Sequence, residues 1–260
     1  MNKLLFTDQL NRTIHLDNYP KRIVSIVPSQ TELLFDLGLY EEVVGITKFC
    51  VHPNEWFKTK VRVGGTKKID IAKIAALQPD LIIANKEENL KEDVEALEQI
   101  APVWISDIKT LVDALQMIEN VGEIVNKKLT AKNISQIISI AFKKLKTNQK
   151  KSCCYLIWQN PYMTVGNDTF INDMFQYCGL QNVFSNKERY PIITLDVVKD
   201  VAPEMVLLSS EPYPFKQKHI DELQKHLPNS KVILVDGEMF SWYGSRLLKT
   251  ANYFKELISF

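Results

Sequence analysis

Apolar positions along the chain cluster in six short, continuous runs, at residues 22–27, 80–84, 103–106, 153–158, 205–209 and 232–235. Strict alternation would mark a sheet with one wet face. Continuous runs instead mark strands covered on both faces, as in parallel sheets flanked by helices. Between the runs, apolar residues recur at helical spacing. The pattern predicts an α/β fold.

The pattern also repeats. Ile69-Asp70-Ile71-Ala72-Lys73-Ile74-Ala75-Ala76-Leu77-Gln78-Pro79-Asp80-Leu81-Ile82-Ile83 reads as helix, Pro-acid joint, strand, and residues 193–207 read the same way around Pro203-Glu204. A second echo pairs Leu34-Phe35-Asp36-Leu37-Gly38-Leu39 with Phe175-Gln176-Tyr177-Cys178-Gly179-Leu180. Each ends a helix at glycine, which enters the left-handed region at little cost. The echoes occur in the same order in each half and predict two similar lobes. The segment 126–147 has neither Gly nor Pro. Its apolar residues Leu129, Ile134, Ile137, Ile138, Ala141 and Leu145 suit one face of a helix, with lysines opposite. We therefore expect an amino-terminal lobe over 1–122, a connecting helix over 123–150 and a carboxy-terminal lobe over 151–260.

Composition narrows the classes. The 260 residues carry 32 Lys+Arg against 31 Asp+Glu, a net charge of +1, which argues against a nucleic-acid partner. With 45% hydrophobic and 24% charged residues the chain is an ordinary globular sequence. No apolar run reaches the roughly 18 residues of a membrane span, so no transmembrane segment is expected. After Met1-Asn2-Lys3 only Leu4-Leu5-Phe6 are strongly apolar, so the expectation is no signal peptide in the chain as given. The four cysteines (Cys50, Cys153, Cys154 and Cys178) form no CxxC pair.

Candidate chemistry lies where α/β folds bind ligands, at the carboxyl ends of the strands. Those loops hold Pro28, Ser29 and Gln30, then Asn85 to Asn89, and then Trp158, Gln159 and Tyr162. Later loops hold Glu211, Tyr213 and Phe215, and finally Glu238, Phe240, Trp242 and Tyr243. So many aromatic residues in loops predict a surface for a wide or flat ligand. No GxSxG, HExxH or phosphate-binding glycine loop occurs, so no catalytic residues are assigned and an enzyme is not expected. Cys50 and His52 stand two apart, a spacing that turns thiol and imidazole the same way on an extended segment and makes them candidate metal ligands.

At Lys21-Arg22-Ile23-Val24-Ser25-Ile26-Val27-Pro28-Ser29-Gln30-Thr31-Glu32 the sequence resembles the opening of the cobalamin and ferric-siderophore binding proteins of ABC importers, the helical-backbone metal receptor family. The likeness extends through a lead-in at 7–20, the Leu-x-Pro-Asp pattern within 71–83, the connecting helix and a closing Tyr243-Gly244-Ser245-Arg246. It implies two Rossmann-like lobes with central, mainly parallel sheets, joined by one long helix with the ligand cleft between them. It implies capture of a metal chelate (cobalamin, a ferric siderophore or haem) with no permanently bound cofactor. Carried over by position, the ligand contacts are Pro28, Ser29, Gln30, Phe49, Trp158, Tyr213, Glu238, Phe240, Trp242 and Tyr243. His52 or Tyr243 is placed to ligate a haem. The resemblance further implies a monomer in the periplasm or otherwise outside the cytoplasm, docking to a permease through Glu32 and Asp196; the family typically carries Glu at the second position. Read locally, Ser29-Gln30-Thr31-Glu32 is also a helix capping box. The alternative on the same fold is a leaderless cytoplasmic enzyme, chaperone or sensor that handles a metal or its chelate, with Cys50, His52 and Glu211 or Glu238 as ligands.

Overall fold

The computed structural model describes residues 3–145 and 150–258. The chain divides into two compact units. The first comprises Met1–Ile108, Val112–Ser139 and Tyr243–Arg246; the second comprises Lys109–Leu111, Ile140–Trp242 and Leu247–Phe260.

The first unit opens with an antiparallel hairpin of β1 (Leu4–Thr7) and β2 (Thr13–Leu16). In chain order there follow β3 (Ile23–Ser25), α1 (Pro28–Asp36), β4 (Val43–Ile46), α2 (Asn54–Thr59), β5 (Val61–Arg62) and the short hairpin β6 (Gly64–Gly65) with β7 (Lys68–Ile69). Next come α3 (Ile71–Ala76), β8 (Leu81–Asn85), α4 (Lys91–Leu97), β9 (Val103–Ser106) and α5 (Leu111–Ile124). The main sheet has the order β5-β4-β3-β8-β9 and every pairing is parallel. All residues of β3 and β8 are buried, as continuous apolar runs require. One face of this sheet packs Val24, Ile26, Ile82 and Ala84 against Ile74, Val94 and Leu97 from α3 and α4.

Helix α6 (Lys128–Lys143) begins in the first unit and ends in the second. It is shorter than the expected 126–147. Asn126 takes a left-handed φ of 58° that separates α5 from α6, and residues 146 and 147 lie outside the described part. The buried row also differs from the expected stripe. Ala131, Ile134, Ile138 and Phe142 face inward, whereas Leu129 is 84% exposed and Ile137 is 48% exposed. The inward row keeps the i, i+3, i+4 spacing but is turned by about one residue.

The second unit holds β10 (Lys151–Leu156), β11 (Tyr162–Met163), α7 (Phe170–Phe175), β12 (Leu180–Asn182), β13 (Ile192–Ile193) and α8 (Leu195–Val201). It continues with β14 (Met205–Ser209), α9 (Gln217–His226), β15 (Lys231–Val235), α10 (Glu238–Ser241) and α11 (Leu247–Ile258). Its main sheet is again parallel, in the order β12-β10-β14-β15. This matches the order β4-β3-β8-β9 of the first unit, so the expected duplication is present in topology. All six apolar runs are strands of these two sheets.

The Pro-acid joints owe their recurrence to a shared hydrogen-bonding task. Asp80, just before β8, accepts from the backbone N–H groups of Lys21 and Arg22, each at 2.8 Å, at the start of β3. Glu204, just before β14, accepts from the Ser152 N–H at 2.7 Å and its hydroxyl at 3.0 Å near the start of β10. These bonds, the backbone one first, hold the Glu204 carboxyl below its ordinary value. Each acid ties the edge of one strand to its neighbour. The second echo also has one cause: Gly38 (φ 79°) and Gly179 (φ 66°) end helices where a Cβ would be strained. Among the described residues no helix is long and apolar enough to cross a membrane.

Candidate functional site

In the first unit the carboxyl ends of β3, β8 and β9 meet in a buried amide network. Gln30 donates through Nε2 to Ser106 Oγ. Asn85 donates through Nδ2 to the same Oγ at 3.0 Å, while its Oδ1 accepts from the N–H groups of Glu87 at 2.8 Å and Glu88 at 3.0 Å. Asn89 accepts from the Asn85 N–H at 2.9 Å and donates to the Thr66 carbonyl at 3.1 Å. Amides suit this position because each both donates and accepts, so the loop needs no second strand to satisfy it. Beside the network Phe49 leaves half its surface exposed, with the Lys48 ammonium 5.0 Å from its ring centre. Tyr243 is buried and donates its hydroxyl to Glu88 Oε1 at 3.2 Å. That contact engages the oxygen expected to ligate a haem.

Helix α1 starts at Pro28, whose fixed φ and missing N–H suit the first helical position. Ser29 therefore lies inside the helix, Val27 takes the cap position without a side-chain bond, and the expected capping box does not form. Pro28, Ser29 and Gln30 are all buried. Glu32 turns inward and accepts from Arg246 Nε at 2.8 Å, with 8% and 6% of the two side chains exposed. A docking carboxylate must be at the surface, so the expectation for Glu32 is corrected.

Asp196 is different. It sits on the first turn of α8 with 85% of its side chain exposed, 3.1 Å from Lys199. The duplication identifies its counterpart. Asp70 caps α3 by accepting from Lys73 N, and Thr194 caps α8 by accepting from Val197 N. The residue two beyond the cap is Asp196 in one unit and Ala72 in the other. Ala72, not Glu32, occupies the equivalent place.

Cys50 is fully buried, and its sulfur lies 3.1 Å from Thr31 Oγ1 and 3.2 Å from Thr47 Oγ1. Burial outweighs these hydroxyls and pushes its pKa up to about 11. Metal binding needs a thiolate, so this thiol does not have the character of a ligand. His52 is half-buried, immediately before Pro53. Among the described residues no group of three or more His, Cys, Asp or Glu side chains gathers to hold a metal ion. Cys153, Cys154 and Cys178 are also buried and free. A thiol reagent at pH 8 should therefore react slowly with the native protein and rapidly once denaturant is added. Fast labelling of Cys50 in the native state would refute its closed setting.

In the second unit the expected single aromatic cluster separates into three settings. Trp158 is 40% exposed at the end of β10 and meets Tyr213 edge-on at 5.5 Å. Gln159 links two phenols: its Nε2 donates to Tyr162 at 3.2 Å and its Oε1 accepts from Tyr213 at 3.0 Å. Phe215 is buried under Tyr213, 4.7 Å between centres. Phe240 has no exposed surface and packs among Tyr155, Phe175, Tyr253 and Phe254. The expectation that it contacts ligand is corrected: the single turn of α10 points it into the core. Trp242 is buried, with its indole N–H bonded to Glu211 Oε1 at 3.0 Å. Glu238, on the first turn of α10, is partly exposed. Sequence reasoning missed Arg246 and the organising role of Glu211. A charge inside the otherwise apolar and small closing segment was the available signal for the first.

A family model described as periplasmic binding protein matches residues 23–230. A protein named vitamin B12-binding protein from Vibrio campbellii is 29% identical over 218 residues, covering 80% of this chain and 78% of that one. An ABC transporter substrate-binding lipoprotein of Bacillus subtilis is 24% identical over 269 residues, covering 96% and 84%. Among solved structures, a periplasmic haem-binding protein from Roseiflexus superposes with a TM-score of 0.80 at 18% identity, covering 92% of this chain and 98% of that one.

Proposed function

Because the chain belongs to the periplasmic binding protein family, we propose that it works outside the cytoplasm as a solute-binding protein, capturing a metal chelate and delivering it to an ABC importer. The names of the relatives support a corrinoid or haem, and a ferric siderophore has the same bulk and flatness. The observation that carries this reading is the placement of Phe49 and Trp158. Both are large rings left 50% and 40% exposed at the carboxyl ends of parallel strands, where α/β folds bind ligands. Each stands on a fixed polar base, the Asn85–Ser106–Asn89 network in one unit and the Tyr162–Gln159–Tyr213 chain in the other. Exposed rings on rigid supports lose little entropy when a flat ligand covers them. The exposed carboxylate of Asp196 is the contact offered to a permease, with Lys199 giving way to a permease cation.

Titration with cyanocobalamin, haemin and a ferric hydroxamate tests the reading. At least one should bind at micromolar concentration or tighter. Phe49→Ala and Trp158→Ala should each weaken that ligand by about tenfold or more, the cost of truncating a well-placed aromatic anchor, with little change in melting temperature. Failure of all three chelates to bind would overturn the assignment.

A further inference from the structure

The loops after β14 and β15 form one locked structure in the second unit. Tyr155 donates its hydroxyl to Ser209 Oγ at 3.0 Å, and Ser209 Oγ in turn donates to the Glu211 carbonyl. The Gly237 N–H donates to Ser210 Oγ at 2.9 Å. The approach is so close that a Cβ on Gly237 would fall 2.3 Å from Ser209 Oγ and 2.7 Å from Glu211 Cγ. Across this contact a single oxygen, Glu211 Oε1, accepts from Ser241 Oγ at 2.6 Å and from Trp242 Nε1 at 3.0 Å. Hydrogen bonds to an ionised acceptor are roughly twice as strong as neutral ones. The orientation of α10 and of the indole is thus tied to the charge on one carboxylate.

We propose that Glu211 is the positioning residue of the second unit's ligand surface, its ionised carboxylate holding Trp242 and α10 in place and releasing them when it takes up a proton. The ligand part of this inference rests on the solute-binding reading; the coupling to Trp242 does not.

Burial pushes the Glu211 carboxyl up, the Ser241 hydroxyl opposes that, and Glu238 raises it further; the Trp242 N–H lowers it and Asp236 raises it. Glu238 on α10, Asp236 after β15 and Tyr155 on β10 are the titratable groups that face it. An acid raised above its unfolded value contributes stability that is present below the unfolded pKa and lost as pH rises through the folded one. Neutralising Glu211 therefore removes a charge that the fold disfavours, and Glu211→Gln should fold.

The test uses the whole protein labelled with 15N. Its four tryptophans give four indole N–H signals, and Trp242→Phe identifies the one of interest. In the wild type that signal should shift sigmoidally with pH, with a midpoint above the ordinary Glu value of about 4.3. In Glu211→Gln it should persist but stay flat. Glu211→Asp, which keeps the charge but withdraws it by one methylene, should still titrate from a displaced position. A signal that titrates unchanged in Glu211→Gln, or that is flat in the wild type, overturns the proposal. Where the wild type binds cyanocobalamin, haemin or a ferric hydroxamate, Glu211→Gln should raise the Kd at least fivefold and flatten its pH dependence. An unchanged Kd overturns the ligand part. If the wild type binds none of the three, the solute-binding reading fails, and the indole titration alone decides the coupling.

Discussion

Arg246→Met should cost the protein about 3–5 kcal/mol of stability in urea denaturation at neutral pH, the usual loss when one partner of a buried ion pair is removed. Both side chains are nearly sealed from water and bonded at 2.8 Å. The variant leaves the Glu32 carboxylate in the interior without its guanidinium. The penalty should shrink as pH falls, because protonating Glu32 removes the uncompensated charge. Adding Glu32→Met should restore most of the loss, since a buried pair replaced by apolar groups is often close to neutral. The cycle thus separates coupling from the cost of each truncation. Additive losses under about 1 kcal/mol each would mean that Glu32 is solvated and open to a partner, and the correction to its docking role would fail.

That pair also shows where the sequence stops being readable. Arg246 lies 214 positions from Glu32, and nothing local announces their meeting. The local pattern at Ser29 and Glu32 reads as a capping box, but Pro28 takes the first helical position and moves Ser29 inside. The six strands were legible because their residues are buried on both faces, which demands unbroken apolar runs. Strands β4 and β12 were not. Gly45 interrupts the first, with Val24, Leu77 and Val63 too close for a side chain. The second alternates buried and exposed residues over only three positions. The strand ends were legible as the place for binding, since topology fixes that. Which ring at those ends faces outward was not, because a one-turn helix and a strand end differ in direction and not in composition.

Phe240→Ala and Trp158→Ala turn this difference into opposite outcomes. Phe240 is completely buried, with ring centres of Phe254 at 4.9 Å, Tyr155 at 5.2 Å, Phe175 at 6.1 Å and Tyr253 at 6.3 Å. Removing it opens a cavity that four rings from β10, α7 and α11 cannot fill by small shifts, at a cost of about 3–5 kcal/mol. Phe240→Leu keeps most of the volume and should recover a large part of the loss. Trp158 is 40% exposed, so its removal leaves no comparable void, and its stability should change by under about 1 kcal/mol. Affinity for the chelate should reverse the order: Trp158→Ala weakens it at temperatures where both variants are folded, while Phe240→Leu leaves it nearly unchanged. A Phe240→Ala protein as stable as the wild type but unable to bind would place that ring at the ligand surface, and the division between core and binding aromatics drawn here would be wrong.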